Sequence, residues 1–238
     1  MSMLQRRSAS PTEGSVTTDL PVFEVELPSL GVFYKDKKKS VKVTTLGIGQ
    51  VRQLKAIFST QHESVRERAM LSVIDKSIVD FNALDLTEGD YKFLLYWIRL
   101  NTYKKTPFTI TYTDPDTNLP SAVVVNQTML DITEVDPAAW FDPKLGYTTM
   151  RDKILMLEMA DEGERYSAFQ ASYLAGNGSL QDRITEVEKK PADFVVEIRE
   201  HANKFYHGVA EYIVVRPATE GIKEVRVTIE LSLTDFFP

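Results

Sequence analysis

The chain has 238 residues, of which 43% are hydrophobic and 26% charged, the composition of an ordinary globular protein of one large domain or two small ones. A chain of this size buries about 70% of its unfolded surface, enough for a core without disulfides or a structural metal. It has no cysteine, which excludes disulfides, thiolate metal sites, iron–sulfur clusters and a cysteine nucleophile, and its net charge of -6 argues against nucleic acid as a partner, since broad binding of it takes a basic surface.

No apolar run reaches the ~20 residues that cross a bilayer, and no apolar core follows the arginines near the start, so neither a membrane span nor a signal peptide is expected. The triplets Asn126-Gln127-Thr128 and Asn177-Gly178-Ser179 therefore lack the secretory context that would make them glycan acceptors. Residues 1–20 are rich in Ser, Thr, Arg and Pro, too polar to offset their ordering entropy, and are expected to form a free arm.

Phe23, Val25 and Leu27 alternate with glutamates, the pattern of a half-buried strand, and Pro28-Ser29-Leu30-Gly31 is a turn. Val32–Tyr34, a lysine-rich tip and a short strand through Val41 and Val43 follow. Thr60 and Glu63 form a capping-box pair, after which Met70, Ile74, Ile78 and Phe81 share one helical face. Thr87 and Asp90 open another helix; Tyr91, Leu94, Leu95 and Ile98 make one side and Phe93 and Trp97 the other, which predicts a buried helix. Phe108, Ile110 and Tyr112 alternate with threonines, and the turn at Asp114–Asn118 returns the chain along Ala122–Val125.

Asp136–Pro143 reads as a linker. Beyond it, helical patterns cover Met150–Met159 and Tyr166–Leu174, stopped by Gly176-Asn177-Gly178. Pro191 stands where a helix starts, Val195, Ile198, Ala202 and Phe205 share a face, and Gly208 is the expected helix end. Val209–Val215 and the alternating run Val225–Leu233 predict two strands, joined by a hairpin over Pro217–Gly221.

Several groupings mimic functional sites. Gly47-Ile48-Gly49-Gln50-Val51-Arg52 has Arg52 where a dinucleotide loop needs its third glycine, and it lacks a parallel βαβ unit; it reads as the start of a helix. Asp114, Asp116 and Asn118 begin like a calcium loop, but Leu119 and Val125 occupy the positions of the turn glycine and the bidentate acid, so a hairpin turn explains them. His201 and His207 are six apart and point in different directions on a helix, and His62 is remote from both, so no metal site is expected. Glu158, Asp161, Glu162 and Glu164 read as a solvated helix end, although a glycosidase-type carboxylate pair is compatible with such residues. Lys37, Lys38 and Lys39, with Lys35 and Lys42, form a solvated tip or a docking patch for an acidic protein surface. Phe236, Phe237 and Pro238 close the chain; two phenylalanines there either dock on the same molecule or anchor it to a neighbour.

Two stretches resemble a known family. Leu27-Pro28-Ser29-Leu30-Gly31-Val32-Phe33-Tyr34 is similar to the Leu-Pro-Ser-x-Gly-x-x-Tyr opening of T-even-type bacteriophage baseplate hub assembly proteins, in which Pro fixes a turn torsion, Gly accepts a positive φ and Tyr anchors the returning strand. Leu86-Thr87-Glu88-Gly89-Asp90-Tyr91, followed by Arg99 and a strand from Pro107, resembles that family's Gly-Asp helix. The resemblance covers about residues 21–130, and the cysteine pair common after that strand is absent here. It implies Leu27, Pro28, Ser29, Gly31, Tyr34, Gly89, Asp90 and Arg99 as structural motif residues, and a late phage protein without catalytic activity or cofactor.

The combined expectation is an α+β fold of antiparallel hairpins packed with several helices in two subdomains: the arm 1–20, an N-terminal unit 21–135 and a C-terminal unit 144–238. The expected function is a structural or assembly role in a contractile tail baseplate. Its partners would be other tail subunits, with no small-molecule substrate and no membrane, and it would reside in the host cytoplasm during assembly and then in the virion baseplate. The alternatives are a transient assembly chaperone absent from the virion and, in a different class, a cell-wall hydrolase. The arm and the Phe236–Phe237 tail are the expected partner-binding elements, with Lys37–Lys39 as a further patch.

Overall fold

The computed structural model describes residues 20–34, 36–57, 63–105, 108–176, 178–216 and 224–229. The arm before Leu20, Thr60 of the capping pair, the hairpin at 217–221 and the tail with Phe236, Phe237 and Pro238 lie outside the described residues.

The fold is α+β. Strand β1 (Val22–Glu26) pairs antiparallel with β2 (Ser40–Thr44), setting Val25 opposite Val41. The alternation sends Val25, Val41 and Val43 into the core. Helices α1 (Ile48–Ile57) and α2 (Glu63–Asp75) follow. Met70 and Ile74 are buried on α2, but the helix stops at Asp75, so the face expected to run on through Ile78 and Phe81 is corrected. Ile78 instead bridges to Val43, Thr44 N–H donates to the Ser77 carbonyl at 2.8 Å, and Val79 N–H donates to the Lys42 carbonyl at 2.8 Å. The open edge of β2 offers the backbone partners that draw these residues out of the helix.

Helix α3 (Glu88–Thr102) is central and buried on nearly every side, from Tyr91 through Ile98 except Lys92. The hairpin of β3 (Phe108–Thr113) and β4 (Pro120–Val125) forms as expected, and Asp114 Oδ1 accepts the N–H groups of Asp116 and Thr117 at its turn. Strand β5 (Ile132–Thr133) pairs with β6 (Gly208–Val209), far along the chain. Between them come α4 (Met150–Glu158), α5 (Glu162–Ser172), α6 (Leu180–Val187) and α7 (Phe194–Lys204). The pair β7 (Tyr212–Arg216) and β8 (Val225–Thr228) completes the described chain.

The C-terminal elements differ in detail from the sequence expectation. Helix α6 was not anticipated, although Ser179 and Asp182 close a reciprocal capping box at its start. Helix α7 begins at Phe194, after a turn that holds Pro191. It ends at Lys204, with Phe205 as its C-cap, and not at Gly208, which lies in β6 with φ +106°. The expected strand 209–215 is two strands, β6 and β7, each bonded to a different partner.

The largest hydrophobic cluster takes Val25, Leu27, Leu94 and Ile98 from the N-terminal part and Met150, Ile154, Val209 and Ile213 from the C-terminal part. A satellite of Met156, Ala168, Ala171, Leu180 and Ile184 joins α4, α5 and α6. A third cluster is aromatic: Phe33 and Phe205, with Phe141 and Tyr147. The 136–143 stretch thus contributes Phe141 to a packed group.

Candidate functional site

The site grows from the first turn of α3. Thr87 is its N-cap, and its side-chain oxygen accepts the Asp90 N–H at 3.2 Å. An acid three residues into a helix commonly reaches back to the cap N–H; Asp90 does not. Its carboxylate is fully buried and turns to the Leu27–Tyr34 segment, where Oδ1 accepts the Ser29 N–H at 3.0 Å and Oδ2 accepts the Tyr34 hydroxyl. The Thr87 N–H donates to the Tyr34 hydroxyl oxygen at 3.2 Å, so the phenol does the work of the missing capping acid. The positive end of the helix dipole adds to the environment that holds the carboxylate. Burial, followed by the neighbouring Asp90 charge, pushes the Tyr34 hydroxyl well above its ordinary pKa and keeps it a donor.

The Leu27–Tyr34 segment is wound tightly enough to present these groups together. Successive turns bond Leu30 N–H to Leu27 O, Val32 N–H to Ser29 O and Tyr34 N–H to Gly31 O. Tyr34 therefore lies in a turn and anchors Asp90, not the returning strand that the resemblance implies. Gly31 has φ +75°, and a Cβ there would lie 2.6 Å from the Lys37 carbonyl oxygen, so this position needs glycine. Leu27 is fully buried, and the Pro28 carbonyl accepts the Val135 N–H at 3.0 Å.

Strand β6 presses on the same helix end. A Cβ on Gly89 would lie 2.4 Å from the His207 carbonyl oxygen, and one on Gly208 would lie 2.7 Å from the Gly89 carbonyl oxygen. His207 Nδ1 is 2.9 Å from the Phe205 carbonyl, and Nε2 is 2.6 Å from Thr87 Oγ1. The bond to the carbonyl assigns a proton to Nδ1, and in the neutral ring Nε2 then accepts from the Thr87 hydroxyl. The same Nε2 is 3.8 Å from Asp90 Oδ1.

Beside this knot opens a cavity of about 300 Å³, with Phe33, Tyr147, Tyr173 and Phe205 among its aromatic walls. Glu88 lines it and accepts from Lys153 at 2.7 Å and from Lys92 at 3.0 Å. Burial alone would raise the Glu88 carboxyl, but the two ammonium groups outweigh it and hold the group below its usual range. His201 Nε2 meets the Gly146 carbonyl at 2.9 Å, and burial pushes this imidazole down. The Thr87–His207 pair has the outline of a hydroxyl and a base, yet the same Thr87 oxygen caps α3 and the residue is buried. Among the described residues no group of three or more His, Asp or Glu side chains could hold a metal ion.

Of the residues singled out from the sequence, Ser29, Gly31, Tyr34, Gly89 and Asp90 come together here. Arg99 does not join them: it is buried further along α3, with its guanidinium 4.8 Å from the Tyr103 ring centre and 5.8 Å from that of Phe108. The lysine tip divides: Lys37 and Lys39 are exposed, while Lys38 pairs with Asp80 at 2.8 Å. Of the acidic residues, Glu158 pairs with Arg68 and Asp161 caps α5. His207 and Gly208 complete the knot, a place that their sequence readings, as a rejected metal ligand and a helix end, do not indicate; a single imidazole 120 residues from Thr87 leaves no local pattern. No family model, curated protein or solved structure matches the chain.

Proposed function

We propose that this chain is a structural or assembly component of a contractile bacteriophage tail baseplate and acts through protein–protein contacts. One observation carries the reading. The two stretches that resemble the baseplate family are far apart in sequence, yet Ser29 and Tyr34 both bond the carboxylate of Asp90. Residues that serve one another in this way are what a family-wide architectural motif requires, and their polar atoms are engaged in holding the fold. Large exposed side chains at Trp140, Tyr166 and Tyr206 add surface suited to partner subunits.

The test is inactivation of the gene in the phage that encodes it. Electron microscopy of the lysate should then show particles without complete baseplates, and mass spectrometry of purified wild-type virions should find the chain. A defective lysate with the chain absent from virions identifies the transient assembly factor. Normal tails in its absence would overturn the proposal, and peptidoglycan cleavage by the purified chain would replace it with the hydrolase.

A further inference from the structure

Two hairpins each leave one strand edge open among the described residues. In the first, Asp114 N–H donates to the Leu119 carbonyl at 3.0 Å, which fixes the ladder's parity. Residues 108, 110 and 112 turn their backbone groups toward β4, and Thr111 and Thr113 turn theirs outward. Pro120, which has no N–H, sits opposite Thr113, where none is needed. In the second hairpin, Ile229 N–H donates to the Glu211 carbonyl at 2.8 Å, so Val227 faces Ile213 while Arg226 and Thr228 present their backbone groups to the other edge. Among the described residues, none donates to or accepts from the outward backbone groups of Thr111, Thr113, Arg226 or Thr228.

The β8 edge and the Thr113 end of the β3 edge border one cleft of about 400 Å³. It is lined by Tyr112, Thr113 and Pro115 and by residues 224–228, and by no residue of β4 or β7. Arg216 ties the hairpins together, with its guanidinium 2.6 Å from Asp116 and 3.9 Å from Asp114. The β8 wall offers donors and acceptors at every second residue, Arg226 and Thr228, and Thr113 stands at the β3 side; this is the period of an extended backbone, which repeats it on both of its edges.

We propose that this cleft binds an extended segment of a partner polypeptide by β-augmentation, joining two two-stranded sheets into one of five strands. The segment would alternate. Apolar side chains would lie on the face of the buried Val225 and Val227, and small polar ones on the face of the exposed Thr113 and Thr228. It would carry no charge at its centre, because Arg216 is matched by Asp114 and Asp116, and Arg226 by Glu224. The inference is independent of the baseplate reading.

The test is amide hydrogen exchange on the full chain, titrated with a nine-residue peptide of alternating threonine and valine carrying a lysine at each end. Saturable binding should slow exchange at Thr111, Thr113, Arg226 and Thr228 by about tenfold or more. Thr228→Pro removes one outward donor and leaves the β7 bonds intact, and Thr113→Pro does the same on the opposite wall. Each variant with a native circular dichroism spectrum should bind the peptide about tenfold more weakly. Unchanged exchange at millimolar peptide, or unweakened binding by either folded variant, would overturn the proposal. Protection that appears without peptide as the protein concentration rises would overturn it in favour of a second copy of the chain.

Discussion

Gly89 and His207 approach so closely that a methyl group on Gly89 would lie 2.4 Å from the His207 carbonyl oxygen. The atom in the way is backbone, held by the β5–β6 pairing and by the Gly208 contact, so it cannot swing aside as a side-chain tip would. Gly89→Ala should therefore displace β6 and open the His207–Thr87 bond, at a cost of about 1–3 kcal/mol in urea denaturation. Gly49→Ala is the control. It lies in α1 with nothing within 4 Å of the added carbon, and should leave stability unchanged or raise it by up to about 1 kcal/mol.

Asp90 should be the most sensitive side chain of the knot. Asp90→Ala leaves the Ser29 N–H and the Tyr34 hydroxyl without their acceptor, at about 1–3 kcal/mol for each buried group. Tyr34→Phe keeps the carboxylate bonded to Ser29 but takes a partner from Asp90 Oδ2 and from the Thr87 N–H, and should cost about 1–3 kcal/mol. A loss under about 0.5 kcal/mol for Asp90→Ala would show that Asp90 does not join the segments in this way.

Two ion pairs of nearly equal length should differ in worth. Arg183 meets Asp152 at 2.7 Å, with side chains 14% and 6% exposed, whereas Arg151 meets Asp85 at 2.8 Å with both 52% exposed. Asp152→Ala leaves a guanidinium poorly solvated and should cost about 2 kcal/mol or more. Asp85→Ala should cost under about 1 kcal/mol, and less still in high salt. Thermal melts of both variants at low and high salt check the contrast.

Acid should weaken the fold in two stages. Burial lowers the His201 pKa below 6.5, outweighing its bond to the Gly146 carbonyl, so the folded state prefers the neutral ring. The associated stability is complete above about pH 6.5 and is lost as pH falls through the lower folded value. Glu88, also lowered in the fold, adds a second loss that begins only below its ordinary value of 4.5. Stability measured across pH should show both slopes, with the upper one missing in His201→Gln and the lower one shallower in Glu88→Gln, where the lowered Asp114 and Asp182 still contribute.

The elements legible in the sequence are those whose pattern is local. The alternation at Phe23–Leu27, the Asp114–Asn118 turn and the Thr87 cap of an all-round apolar helix each contain their own explanation. The errors arose where a distant edge decided. Ile78 fits a helical face by spacing, but β2 offers it backbone bonds. The residues after Phe205 become β6 because Ile132 and Thr133 are there to pair with. The knot shows the same division. Its motif residues stand out through a resemblance, whereas their meeting at one carboxylate, and the part played by His207, depend on tertiary contacts no window along the chain contains.

The bonds to Asp90 also bear on kinetics. They link it to positions 61 and 56 residues earlier, so the intervening chain must close a long loop before either bond can form. We expect these two bonds to mature after the rate-limiting barrier, so that weakening them leaves refolding speed nearly untouched while shortening the lifetime of the native state. In stopped-flow experiments the Asp90→Ala defect should thus fall on the unfolding arm, which makes this carboxylate a clasp that governs how long the molecule stays folded.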